Sequence, residues 1–230
     1  IISKVHDGSE KDFMLMVEDG KLRFDTETGG DNNYYISDSV VISINTWYCV
    51  GYVATYSNRV GTIKLYVNGQ EVAGSYQSGS TITTTNVTAS HQRLVIIGGM
   101  VAAPTYNKQF FNGQISDVRI YNKALTDNEV KFLYAQKNNK GLIVKKPNQY
   151  KHSIAGLIGH WKMNDGKGIT IRDSGSNDNN VAPGTLTNFA SNQLWITGRT
   201  GTTPFFDEAN NYVDISTFNN YMPNGSLTVA

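Results

Sequence analysis

The stretch FNGQISDVRIYNKALTDNEV, Phe111 to Val130, joins a strand to a capped helix. Ile115 to Tyr121 supplies the β-branched and aromatic residues that suit a pleated, half-buried strand. Thr126-Asp127-Asn128-Glu129 is a capping box, in which Thr126 caps the backbone and Glu129 reaches back to it. Leu125, Val130, Leu133 and Tyr134 form a short apolar stripe, so the pattern predicts one helix over 126–136.

Upstream of this stretch the chain reads as strands. Phe13, Leu15 and Val17 alternate with Met14 and Met16, and Leu22 and Phe24 alternate with Lys21, Arg23 and Asp25. Asp19-Gly20 between them signals a β-hairpin, because a type I′ turn needs φ > 0 at both central residues. Ile63, Leu65 and Val67 before Asn68-Gly69 repeat the signal. Trp47 to Tyr56 is apolar on both faces and reads as a central strand. Residues 74–90, rich in Ser, Thr and Gly, read as a loop or edge.

Downstream, 137–154 holds five of the twenty basic residues and no acidic one, and reads as a linker; an anionic surface contact is the alternative. Strands resume from Ala155. Leu157 to Met163 contains Trp161, Asp173 to Asn180 is a polar turn, and Phe205 to Ile215 reads as two short strands around a tight turn. Ser226 to Val229 begins a further strand.

Composition fits an all-β chain. Of 230 residues only 17% are charged, with a net charge of +1, while 24 are Asn and 22 Gly. Such a charge collects no nucleic acid. No apolar run approaches a membrane span. The single cysteine, Cys49, excludes an internal disulfide framework and a Cys-based zinc site, and is expected to be a buried small apolar group. The chain opens at Ile1 without a Met or a signal peptide, which reads as a processed chain or a fragment.

These residues resemble the laminin-G-like, concanavalin-A-like jelly-roll family. Trp47-Tyr48 through Leu65 to Gly69 resembles the middle of such a domain, and Phe111 to Tyr121 with the capped helix resembles its close. Gly156 to Trp161 with Asn164-Asp165-Gly166, Asp173 to Asn177, Trp195, Gly198, Gly201 and Phe205 to Ile215 resemble its opening. The resemblance implies an all-β concanavalin-A-like sandwich with one short helix. It also implies a swapped order: 1–136 is the closing two-thirds, 137–154 a linker and 155–230 the opening third. Two arrangements fit this order. One is a window on a tandem array, which is preferred; the other is a circularly permuted domain whose parts complement each other.

Catalytic patterns are missing. Glycan-cleaving enzymes of this architecture carry paired carboxylates on one strand, whereas Asp25-x-Glu27 lacks a third acid and reads as a solvated strand end. His6, His91, His152 and His160 are scattered without metal-ligand spacing. A structural calcium ion is the cofactor candidate, since loops rich in carboxylate and amide oxygens suit it. Asp173 and Asn177 come from the polar turn, and the resemblance adds Asp117 by position; an Asx-turn and an Asp117–Arg119 pair are the alternatives. Tyr34, Tyr35, Tyr106 and Tyr221, expected to be exposed in polar loops, are the candidate ligand-binding rings. Tyr48, Tyr52 and Tyr56 either line a groove or pack in the core. The sequons at Asn86 and Asn224 carry little weight among 24 Asn.

The expected function is a non-catalytic recognition or adhesion module of an extracellular, cell-surface or virion-surface protein, with a glycan or protein partner. The alternative is a structural building block of a filament, surface layer or virus particle, with self-assembly or neighbouring repeats as partners.

Overall fold

The computed structural model describes residues 1–5, 11–28, 31–57, 60–77, 82–83, 94–100, 109–138, 155–175, 182–192, 194–199, 201–215, 218 and 226–230. Residues 1–136 contribute β1 (Ile2–Val5), β2 (Lys11–Glu18), β3 (Lys21–Thr28), β4 (Asp31–Ser37), β5 (Val50–Ser57), β6 (Val60–Val67), β7 (Gln70–Val72), β8 (Gly74–Tyr76) and β9 (Ile82–Thr83). They continue with β10 (Leu94–Ile97), β11 (Gly99–Met100), β12 (Gln109–Phe110), β13 (Asn112–Gln114), β14 (Val118–Tyr121) and the start of α1 (Asp127–Asn138). Residues 155–230 contribute β15 (Leu157–Trp161), β16 (Thr170–Ile171), β17 (Gly184–Thr187), β18 (Ile196–Gly198), β19 (Gly201–Thr203), β20 (Phe205–Asp207), β21 (Tyr212–Asp214) and β22 (Leu227–Val229).

Two antiparallel sheets dominate. The larger has nine strands in the order β16-β17-β21-β10-β1-β2-β3-β4-β8. The smaller has seven, β15-β14-β22-β5-β6-β7 with β9 beside β6. Both sheets contain strands from both parts of the chain: β21 pairs with β10, and β22 lies between β14 and β5. Among the described residues no helix is long and apolar enough to cross a membrane.

The inner faces of the sheets form one core, because alternation sends every second side chain inward. Ile2, Phe13, Leu15, Leu22 and Phe24 come from the larger sheet; Tyr52, Ala54, Leu65, Ile120 and Trp161 come from the smaller. Trp161 is fully buried, its indole N–H donating to the Ala182 carbonyl at 2.8 Å. A second cluster lies outside the smaller sheet, where Leu125, Val130 and Leu133 of the helix region cover Val53, Tyr66 and Tyr121.

Both hairpin signals form as expected. Asp19 and Gly20 have φ of 50° and 74°, and Asn68 and Gly69 have 52° and 76°. The capping box also forms: Glu129 N donates to Thr126 Oγ1 at 3.3 Å, and Thr126 N donates to Glu129 Oε2 at 2.8 Å.

Three local expectations are corrected. Ile115 to Tyr121 is not one strand. Asp117 sits at φ 60° and turns the chain, so β13 pairs with β20 while β14 joins the smaller sheet. The strand expected from Trp47 starts at Val50; Trp47 is 36% exposed and Cys49 only half-buried. Cys49 instead belongs to the loop end, where its N–H donates to Asn68 Oδ1. The two short strands expected over Phe205 to Ile215 form as β20 and β21; Asp207 N donates to Asn211 Oδ1 in the turn between them, and the strands pair with β13 on one side and with β10 and β17 on the other.

Candidate functional site

Register places one row of side chains straight across the outer face of the larger sheet: Tyr34, Asp25, Met14, Ser3, Ile96, Asp214 and Thr185. The middle of the row is covered. Met14 clusters with Met16 and Met100, and Ser3 Oγ donates to the Gly99 carbonyl at 2.8 Å. Both ends of the row are less covered: Thr185 is exposed and Asp214 half-buried at one, and Tyr34 is half-buried at the other, the corner where β3 meets β4.

Arg23 organises that corner. Its Nη1 donates to Glu18 Oε2 and its Nη2 to Asp25 Oδ2, both at 2.9 Å. The guanidinium carbon lies 3.7 Å from the ring centroid of Tyr34, a cation–π stack. Tyr34 Oη donates to Gln77 Oε1 at 2.8 Å, which fixes the far end of the ring. The Asp25 side chain is fully buried, whereas that of Glu18 is 42% exposed. The corner therefore presents a pinned aromatic ring, a guanidinium edge, a carboxylate and an amide within one patch. Asp25, screened from solvent and paired with Arg23, is placed as a structural counter-ion and not as an acid or base. The expectation that it sits on a solvated strand end is corrected; the side chain of Glu27 lies outside the described residues.

Tyr34 and Tyr35 do not occupy a loop as expected, but strand β4. Alternation separates them: Tyr34 faces outward, while Tyr35 packs against the core with its ring 4.7 Å from that of Tyr76. Burial pushes the Tyr35 hydroxyl up. Tyr48, Tyr52 and Tyr56 all pack against the core, with Tyr52 4.4 Å from Phe24. Burial raises the Tyr52 hydroxyl well above its ordinary range. Tyr106, Tyr221, Asn177, His6, His91, His152 and the asparagines of both sequons, Asn86 and Asn224, lie outside the described residues.

The other two calcium candidates meet at His160. Asp117 Oδ1 lies 2.6 Å from His160 Nε2, and Arg119 donates to both carboxylate oxygens of Asp117, at 3.0 and 3.2 Å. Asp173 Oδ1 accepts from the backbone N–H groups of His160 and Gly175, each at 2.9 Å. Asp173 thus makes the local turn bond of an Asx motif, and Asp117 the pair with Arg119. A calcium ion needs six to eight converging oxygens. Here the guanidinium of Arg119 stands where a cation would approach Asp117, so these residues do not fit one. Among the described residues no group of three or more His, Cys, Asp or Glu side chains is placed to hold a metal ion.

Sequence reasoning did not single out Arg23, Glu18 or Gln77. Part of the signal was present, since Arg23 and Asp25 stand two apart on a strand and must share a face. The pairing of Asp25 with Tyr34 across β3 and β4 needed the register. Gln77, beyond the edge strand β8, had no signal.

A family model described as the concanavalin A-like lectin/glucanases superfamily matches residues 1–131. No curated protein and no solved structure matches the chain. The matched span covers more than half of the chain, running from β1 into α1 through both hairpins and the capping box, so the chain belongs to the concanavalin A-like lectin/glucanases superfamily.

Proposed function

We propose that the chain is a non-catalytic recognition module of an extracellular or surface protein, binding a glycan or a protein partner at the Tyr34 corner. The family supports the coarse reading, because this kind of domain binds carbohydrates or proteins. The observation that carries the site is the stack of Arg23 on Tyr34, clamped by Glu18, Asp25 and Gln77. A ring held in place before binding loses little freedom on contact, which favours affinity. Sugar C–H faces and apolar side chains pack on aromatic rings, and hydroxyl or amide groups bond to the neighbouring carboxylate and amide. The Arg23–Asp25 pair argues against glycoside hydrolysis, which needs two carboxylates free to exchange a proton or attack.

The two parts of the chain are proposed to form one permuted domain. The central places of β21 and β22 support this reading over successive repeats.

Panels of immobilised glycans and matrix proteins test the function. Wild-type chain is expected to bind at least one of them saturably, and Tyr34→Ala to weaken that binding about tenfold or more, about 1.4 kcal/mol. A wild-type chain that binds nothing on either panel rules the reading out.

A further inference from the structure

Among the described residues five large apolar side chains are exposed, and three of them, Val40, Ile44 and Trp47, stand in the loop that joins β4 to β5. Ile44 is 90% exposed and Val40 64%. The loop is pinned along its length. Val41 and Ile42 both donate their N–H to the Gly20 carbonyl at 2.9 Å, so this part lies on the turn between β2 and β3. A Cβ on Gly20 would come within 2.8 Å of Val40 Cγ1. Ser43 N donates to Tyr48 Oη at 3.3 Å, and Thr46 Oγ1 donates to the Ile44 carbonyl at 3.4 Å. Asn45, at φ 57°, turns the chain between Ile44 and Trp47. At the far end Cys49 N donates to Asn68 Oδ1 at 3.0 Å, and Asn68 N donates to the Cys49 carbonyl at 2.7 Å.

The loop sorts its apolar residues into two sets. Val41, Ile42 and Tyr48 pack against the core, whereas Val40, Ile44 and Trp47 are held in solvent. Holding such side chains in water gives the fold nothing, and clustered exposed apolar groups mark a contact surface.

Charge and hydrogen bonding decide what meets this surface. No residue from Ser39 to Asn58 is charged. A protein interface surrounds its apolar centre with a polar, charged rim over about 800 Å² per partner; three apolar side chains on one uncharged loop do not supply that. A bilayer asks for other properties. Backbone groups that approach it must be bonded within the protein, as those of Val41, Ile42, Ser43 and Cys49 are. Tryptophan prefers the boundary between headgroups and acyl chains. The charged groups at the base of the loop, Glu18, Asp19, Lys21 and Asp38, are three carboxylates against one ammonium, so they do not attract anionic headgroups. We propose that loop 38–49 is a lipid-docking tip for a zwitterionic bilayer, with Ile44 and Val40 entering the acyl edge and Trp47 lying at headgroup level. The chain then lies on a membrane and does not span it. This contact goes beyond the Tyr34 site and does not depend on it.

Full-length chain and phosphatidylcholine vesicles test it. Wild type is expected to co-sediment with the vesicles, with tryptophan fluorescence shifted to the blue and quenched by brominated acyl chains. Trp161 is fully buried and Trp195 packs against the core, so Trp47 supplies the change. Trp47→Phe is therefore expected to keep co-sedimenting and to lose most of the quenching. Ile44→Ser, at a side chain the fold does not bury, is expected to keep the thermal transition and to lower partitioning about tenfold or more. Tyr34→Ala is expected to bind vesicles as wild type does, which separates this contact from the glycan or protein site. Added salt is expected to leave binding unchanged. The proposal is overturned by a wild-type chain that does not bind phosphatidylcholine, by binding that needs phosphatidylserine and vanishes in salt, or by binding that Ile44→Ser leaves intact. Self-association that Ile44→Ser abolishes, without vesicle binding, assigns the tip to a second copy and overturns it too.

Discussion

Arg23 shows how one side chain can set a surface. It is held between two carboxylates and lies on Tyr34, so its removal takes a close ion-pair partner from the buried Asp25 carboxylate. Breaking a buried pair from one side costs more than replacing both partners with apolar groups. Arg23→Met is expected to lower stability by about 2–3 kcal/mol in urea denaturation. Adding Asp25→Leu is expected to restore most of that loss, since the buried carboxylate is then removed with its partner. Asp117 makes the complementary point. Its left-handed backbone splits what reads as one strand into two, and its carboxylate is tied to Arg119 and His160. The local pattern offers the pair with Arg119 but marks neither the turn nor His160, because Asp117 reads as an ordinary outward residue of an alternating run. His160, forty-three positions away, is its nearest cross-strand partner.

Elements were more legible than contacts. Both Asx-Gly turns and the capping box depend only on neighbours within four residues, so local chemistry suffices to place them. Helix α1 begins at Asp127, directly after the cap Thr126, and runs to Asn138, two residues past the expected end. Thr126→Ala is expected to cost about 1 kcal/mol, measured by chemical denaturation. The Lys123 ammonium, followed by hydrogen bonds from Thr126, holds the Glu129 carboxyl below its usual 4.5. A carboxyl lowered on folding stabilises above its unfolded value, and that contribution fades as pH falls through the folded one. The stability gap between wild type and Glu129→Gln is therefore expected to be full at pH 6 and to shrink below about 4.5. A gap that stays constant from pH 6 to pH 3 removes this role. Strand limits were less legible, as Trp47 shows: an apolar run does not reveal where the partner strand ends.

Across the molecule, the sheets gain their central strands from both parts of the chain. If 1–136 and 155–230 unfold as one unit, the amides of Leu227 to Val229 exchange as slowly as those of Tyr52 to Ala54. Native-state hydrogen exchange is expected to show the two sets within about tenfold of each other, and to show a single cooperative transition on heating. Faster exchange in β22 alone would mark it as a separable piece. Composition, alternation, turn dipeptides and the capped helix were enough to settle the all-β class, because each is a property of a few consecutive residues; the family came from the resemblance of longer stretches and from the family model over residues 1–131. The core positions followed too, since alternation alone sends Phe13, Leu15, Leu22 and Phe24 to one face. Register across strands distant in the chain decided the rest. It put Tyr34 over Arg23, buried Asp25, turned Tyr35 inward and seated β22 between β14 and β5. Such pairings depend on which backbone edges meet in space, and a one-residue shift would send each of these side chains to the opposite face.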